Sequence, residues 1–375
     1  MSDQHETGRN DNDRHDSGQQ VSGQQVSGRH DRALGALTGL ALGDALGMPT
    51  QLLTREAIRA RYGVLTWFVD APDDNEISRG TPAGRVTDDT DQAVIVGRLL
   101  VEGTGRVDPR RLADELLSWE TRMVERGSAD LLGPSTRRAL RLLAEGTPAG
   151  TTGRWGDTNG AAMRVAPVGI AYPADPVDRL VDAVADSNRV THDTTVANAG
   201  AAAVAAAVSA GIDGAAPAEA LRRGIDAARI GATRGHYVPG ADVAARIEWA
   251  CDLVTASGET GTGDDPLDVI YRLVGTGVAT QEAVPAAFAV VALHPDDPFQ
   301  ACLAAASLGG DCDTVAAMVG AISGTCHGYA ALPRGAVDAL GAANPDLDLA
   351  ALAGRLLALR ERHRHSQGKH AEVAR

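Results

Sequence analysis

The chain has 375 residues, 44% hydrophobic and 22% charged, with a net charge of −14 and a pI near 5.1. That length buries a large core, and the charge balance excludes phosphate-directed nucleic-acid binding, since the short tail from Arg360 is the one basic stretch. Aromatic residues make up only 3%, so Ala, Val, Leu and Ile must fill the interior. The acidic excess suits solubility and the binding of cations.

Residues 1–30 are rich in Gln, Ser, Gly, Asp and His, with QQVSG repeated over 19–28. Such a segment buries too little apolar surface to offset its ordering entropy, which predicts a disordered tail. Its DNDRHD lacks the glycine and distal glutamate of a calcium loop. The polar start holds no signal peptide, and 199–210, AGAAAVAAAVSA, is too short and alanine-rich to span a membrane. Four cysteines without a CxxC pair exclude a disulfide framework. A cytoplasmic protein with no membrane partner is the expectation.

From residue 33 a helical period sets in: ALGALTGLALGDALG at 33–47 places Leu34, Leu37, Ala41 and Ala45 at three- and four-residue spacing. The same pattern predicts helices over 91–101, 110–124, 134–144, 177–186, 193–210, 217–229, 241–256, 266–274, 281–292, 298–307, 313–329 and 349–362. The best strand signal, YGVLTWFV at 62–69, stands alone. The sequence therefore predicts an all-α fold: a single compact bundle of roughly twelve or more helices over 31–362, then a charged tail at 363–375.

Two acidic clusters stand at helix starts, VTDDTDQ at 86–92 and GGDCDTV at 309–315. Asp88 and Asp89 are adjacent, Thr87 precedes them and Asp91 follows by one turn; Asp311 and Asp313 alternate, with Thr314 next. Gly309 and Gly310 permit a tight turn or a close approach to a ligand. Capping explains one carboxylate or hydroxyl per helix, because these residues suit an N-terminus and its dipole. It does not explain five aspartates, which could converge only with cations between them; carboxylate and hydroxyl oxygens favour Mg²⁺, Mn²⁺ or Ca²⁺ over zinc. DCDTV also fits the D-x-D-x-[TV] phosphatase pattern, but SLGG precedes it and no βαβ alternation surrounds it, so we read that match as coincidence.

Taken in order, GLALGDALG at 39–47, VTDDT at 86–90, NGAAMRVAPVG at 159–169, THDTTVANAG at 191–200 and LGGDCDT at 308–314 resemble the motifs of the ADP-ribosylglycohydrolase family. That group includes the enzyme that reactivates nitrogenase reductase by removing ADP-ribose from arginine. The resemblance implies an orthogonal helical bundle with a central binuclear cleft for two Mg²⁺ or Mn²⁺ ions. It assigns Thr87, Asp88, Asp89, Asp311, Asp313 and Thr314 to the metals, and metal ligation and proton acceptance to Asp88, Asp89 and Asp313. Asn159, Gly160 and Ala161 match a substrate-phosphate loop, His192 a histidine near the distal ribose or phosphate, and Asp44 a position near the metals. Gly310 counts with the substrate-facing backbone. The implied partner is an ADP-ribosylated protein or small molecule.

Two positions depart from the family pattern. Cys312 replaces a frequent threonine, with a side chain expected to point away from the metals. Gln51 stands where many members carry glutamate; it can orient a water or sugar hydroxyl but cannot exchange protons. Gln51 therefore keeps open a second reading, hydrolysis of a smaller ribosyl compound such as a nucleoside. A non-catalytic member, as jellyfish lens crystallins are, is a third, although every metal-ligand position is intact. RGHYVPGAD at 234–242 is read as a helix connection.

Overall fold

The computed structural model describes residues 12–128, 132–260 and 265–373, with side-chain surroundings for 27–128, 132–256 and 265–365. The chain opens with α1 (Asn12–Gly47), α2 (Arg55–Tyr62), α3 (Asp88–Glu102), α4 (Pro109–Glu125) and α5 (Pro134–Ala144). Two short helices, α6 (Gly160–Met163) and α7 (Ala166–Ala171), lead to α8 (Val177–Asn188), α9 (Thr195–Ile212), α10 (Pro217–Gly231) and α11 (Val243–Thr260). Then come α12 (Pro266–Val269), α13 (Thr280–Leu293), α14 (Pro298–Ala306), α15 (Cys312–His327), α16 (Arg334–Ala343) and α17 (Leu349–Val373). Among the described residues there is no strand, only isolated bridges at Thr158–Ala279 and Thr194–His236. The fold is all-α.

Close approach of backbones organises it. A Cβ added to Gly35, Gly39, Gly43 or Gly47 of α1 would stand 2.3, 2.1, 1.9 and 2.3 Å from Gly324 O, Gly320 O, Ala316 O and Asp313 Cα of α15. Glycine at every fourth position thus lets α1 and α15 pack main chain to main chain, with α9, α13 and α14 around them. The register is consequential, because the end of α1 is pinned to the start of α15. Alanines of α9 do the same for its neighbours: a Cβ on Gly224 would meet Ala203 O at 2.8 Å, and one on Gly169 would meet Ala205 O at 2.4 Å. At 18 residues and mean hydropathy 1.5, α9 is long and apolar enough to cross a membrane, but 94% of it is buried by the other helices.

Several elements differ from expectation. Residues 1–11 of the predicted tail lie outside the described residues, yet from Asn12 to His30 the backbone is helical. Helix propagation is cheap once α1 is nucleated in the core, and Arg29 ties the segment to Asp213 at 3.4 Å and Glu361 at 3.2 Å. The tail at 363–375 likewise continues α17 to Val373, where His363 stacks on Tyr172 with ring centroids 4.0 Å apart. The lone strand signal at 62–69 begins on the last residue of α2, and Gly63 at φ +64° turns the chain away. Leu65 and Phe68 of that segment are core residues in irregular backbone.

Candidate active site

Pinning α1 to α15 brings the starts of α3 and α15 to one cleft of about 240 Å³. Gln51, Asp88, Asn159, Gly160, His192, Asp311, Asp313 and Thr314 line it, together with Gln92, Arg137 and Thr158. Thr314 Oγ1 donates to Asp89 Oδ2 at 3.2 Å, joining the two acidic clusters across 225 positions. Asn159 Nδ2 donates to Asp311 Oδ2 at 2.5 Å, attaching the α6 loop to the second cluster.

Capping accounts for little of this. Thr87 is the N-cap of α3, its Oγ1 accepting from Asp89 N at 3.4 Å. Asp311 occupies the cap position of α15 without making a cap bond. Asp91 turns away from the cleft and accepts from Trp119 Nε1 at 2.7 Å.

Some expected site residues lie behind the wall rather than on it. Asp44 is fully buried on α1. It accepts from Thr87 N and Oγ1, the latter at 2.8 Å, and from Thr90 N and Oγ1. Every donor it meets belongs to the N-cap or first turn of α3, so Asp44 anchors α3 to α1. Ala161 is buried in α6. Gly310, at φ +70°, serves the turn; its N–H meets Leu53 O at 2.9 Å and its carbonyl accepts from Leu52 N at 2.7 Å. Cys312 Sγ faces Thr50 Oγ1 at 3.3 Å, away from the cleft lining, and burial pushes its thiol up to about 12. The 234–242 segment joins α10 to α11 and bridges Thr194 through His236.

The electrostatics are those of crowded carboxylates. Burial raises Asp89 and Asp313 well above the ordinary range, and the charges of Asp88 on the first and Asp311 on the second add to it. Asp311 is raised by burial against the bonds from Asn159 and Thr314. Asp44 is pushed up to about 6 by burial, against its bonds from Thr90 and Thr87. Crowding and burial make the full negative charge of this cluster costly unless a cation meets it. Two buried carboxylate oxygens, Asp89 Oδ1 and Asp313 Oδ1, have no hydrogen-bond partner among the described residues, and neither has Gln51 Nε2.

His192 is fully buried, and burial together with Arg164 lowers its pKa well below 6.5. Its Nε2 lies 3.0 Å from Thr158 Oγ1 and its Nδ1 2.8 Å from Thr191 Oγ1. A Cβ at Gly160 would sit 3.0 Å from that ring, so any larger residue would crowd the histidine. Sequence reasoning missed Thr158, Gln92 and Arg164. The available signal was position: Thr158 and Arg164 border or sit within the 159–169 motif, and Gln92 follows Asp88 by one helical turn.

Comparison with known proteins gives the family. The family model for ADP-ribosylglycohydrolase matches residues 25–366. The Escherichia coli protein YegU is 37% identical over 80% of this chain and 89% of its own. The ADP-ribosyl-[dinitrogen reductase] glycohydrolase of Rhodospirillum rubrum is 33% identical over 45% of this chain and 54% of its own. A solved ADP-ribosylglycohydrolase-related protein complex superposes with a TM-score of 0.61 at 28% identity, covering 89% of this chain and 99% of that one. The chain belongs to the ADP-ribosylglycohydrolase family and is, by class, a glycosidic hydrolase.

Proposed function

We propose that this enzyme uses divalent cations, Mg²⁺ or Mn²⁺, to hydrolyse a ribosyl glycosidic bond and release ADP-ribose from an ADP-ribosylated protein or small molecule. One observation carries the reading: the orphaned oxygens Asp89 Oδ1 and Asp313 Oδ1, buried in the acidic cluster at the cleft, where Asp313 lines the wall and Asp89 lies behind it, held by Thr314. Buried carboxylate oxygens without donors are costly unless a cation meets them. Asp88, Asp89, Asp311 and Asp313, with Thr87 and Thr314, offer the hard oxygen donors that Mg²⁺ and Mn²⁺ prefer. Among the described residues no three of His, Cys, Asp or Glu stand close enough to hold one ion as they are, so the fit lies in donor chemistry and not in a preformed cage. The R. rubrum relative, named for its action on ADP-ribosylated dinitrogen reductase, supports the substrate class.

Bound divalent cations supply water of lowered pKa and fixed positions for sugar hydroxyls. The chain supplies the rest. Asp88, Asp89 and Asp313 divide cation binding and proton acceptance, and their negative field favours the oxocarbenium character of the transition state. Asn159 holds Asp311, and the absence of a side chain at Gly160 keeps the cleft clear beside His192. Gln51 Nε2 is a donor for a water or sugar oxygen and not an acid or base.

A second reading, hydrolysis of a nucleoside-sized compound, draws on Gln51 and on a cleft of about 240 Å³, below the usual range for larger ligands. Calorimetric titration of cation-stripped protein with Mg²⁺ and Mn²⁺, then with ADP-ribose and nucleosides, separates the two. Cation binding followed by ADP-ribose binding is the expected result. Binding of nucleosides alone transfers the assignment to the second reading, and absence of cation binding defeats both.

A further inference from the structure

Arg164, on the turn between α6 and α7, is 1% exposed. Its Nη1 donates to Gln92 Oε1 at 2.7 Å and its Nη2 donates to Thr191 Oγ1. A guanidinium has donors only, so both partners must accept. Burial lowers its pKa only to about 10, and it remains charged at neutral pH.

The consequences run in two directions. With its carbonyl on Arg164, the Gln92 amide presents Nε2 to Asp88 Oδ2 at 2.6 Å, which fixes that carboxylate oxygen as an acceptor. With an Oγ1 lone pair on Arg164, Thr191 has one proton to donate, and its neighbour is His192 Nδ1 at 2.8 Å. Nδ1 therefore accepts, and the neutral ring carries its proton on Nε2, which donates to Thr158 Oγ1 at 3.0 Å. The opposite tautomer would strand the Thr191 proton in a residue that is fully buried, at the cost of an unsatisfied polar group. Having accepted from His192, the Thr158 hydroxyl has its own proton to give. That proton has no acceptor among the described residues, and Thr158 lines the cleft.

We propose that Arg164 sets the direction of a hydrogen-bond chain through Thr191 and His192 that makes the Thr158 hydroxyl a donor to an acceptor oxygen of the bound substrate, while the same guanidinium, through Gln92, fixes Asp88 as an acceptor. Thr158 is the substrate-touching residue; Arg164, Gln92, Thr191 and His192 are positioning residues. The direction of the chain stands on this geometry alone, and the ligand assignment rests on the ADP-ribosyl reading above.

Two measurements test it. In ¹⁵N-labelled full-length protein without ligand, long-range ¹H–¹⁵N spectra report the protonated nitrogen of His192, assigned by its loss in His192→Gln. The expected spectrum has Nε2 protonated and Nδ1 bare, and Thr191→Val turns it into a tautomer mixture. A protonated Nδ1, or a mixture in the wild type, overturns the chain whether or not the variant folds. Calorimetric titration with ADP-ribose in Mg²⁺ should show affinity about tenfold weaker in Thr158→Val and within about twofold of wild type in Thr158→Ser. Equal affinity of wild type and Thr158→Val overturns the donor role. Failure of the wild type to bind ADP-ribose counts against the substrate reading and leaves the chain to be judged by the spectrum.

Discussion

Gly47, the last residue of α1, packs on Asp313 in the first turn of α15, where a Cβ would stand 2.3 Å from the Asp313 Cα. The same contact that closes the helix pair therefore sets the position of a cleft carboxylate. Gly47→Ala must push these backbones apart, which overpacking elsewhere shows to cost about 3 kcal/mol when nothing flexible can yield. Thermal melts should place it and Gly43→Ala, whose Cβ would meet Ala316 O at 1.9 Å, well below wild type. A Gly47→Ala protein that melts with the wild type would show that α1 and α15 separate without cost.

Asp89 and Asp313 carry the second prediction. Without cations, Asp89→Asn and Asp313→Asn remove a buried like charge, so each variant should melt above the wild type, by about 1–3 kcal/mol of stability. Adding Mg²⁺ or Mn²⁺ at about a hundred times its Kd should stabilise the wild type by about 2.7 kcal/mol and the variants far less. Melting curves with and without cation read both effects. Equal cation-induced shifts in wild type and variants would remove Asp89 and Asp313 from the cation site.

How far the sequence carried this picture depended on the kind of signal. The periodic helices were legible because burial repeats every three to four residues, and the aspartate clusters because five carboxylates exceed what capping needs. The glycine period of α1 was on the page as Gly35, Gly39, Gly43 and Gly47 but was masked by the alanines and leucines between them. Helicity from Asn12 to His30 was misjudged from composition alone, since Arg29 finds Asp213 and Glu361 only in the folded chain. The resemblance put Asp44 near the metals; its hydrogen-bond partners, Thr87 and Thr90, are a matter of helix packing that no spacing encodes. The chain from Arg164 to Thr158 was invisible for the same reason, as its members come from α3 and three separate connections.

Gln51 offers a gain-of-function test. It is 5% exposed in the cleft with Nε2 unpartnered, and Gln51→Glu places a proton-exchanging group at the same point. The variant should turn over an ADP-ribosylated arginine peptide about tenfold faster or more, within the range that a positioned acid or base contributes. It should also lean harder on cation for stability, since one more buried carboxylate joins the cleft. Unchanged kcat/KM would mean that proton transfer is already supplied by the aspartates.

Asn159 holds Asp311 through a single short bond to its Oδ2. Asn159→Ala should leave the fold intact while lowering kcat/KM about tenfold, the worth of one hydrogen bond to a charged group. Cation affinity should fall in parallel, because the carboxylate loses its fixed orientation. Wild-type kinetics and cation affinity in this variant would make the bond incidental.

His192 closes the set with a pH dependence whose sign follows from its burial. In the folded protein its pKa lies well below 6.5, from burial and the charge of Arg164. In the unfolded chain the imidazole titrates near 6.5. Below that pH the unfolded state binds a proton that the folded state refuses, so His192 makes stability fall as pH falls, by up to about 1.4 kcal/mol per pH unit. Above it both states are neutral and the contribution is flat. Urea unfolding at pH 7.5 and pH 5 should show the wild type losing about 2 kcal/mol more than His192→Gln over that interval. The comparison is a difference of differences, so the intrinsic cost of replacing the ring cancels. Parallel losses in the two proteins would mean that the folded ring accepts a second proton, and a doubly protonated His192 could no longer accept from Thr191.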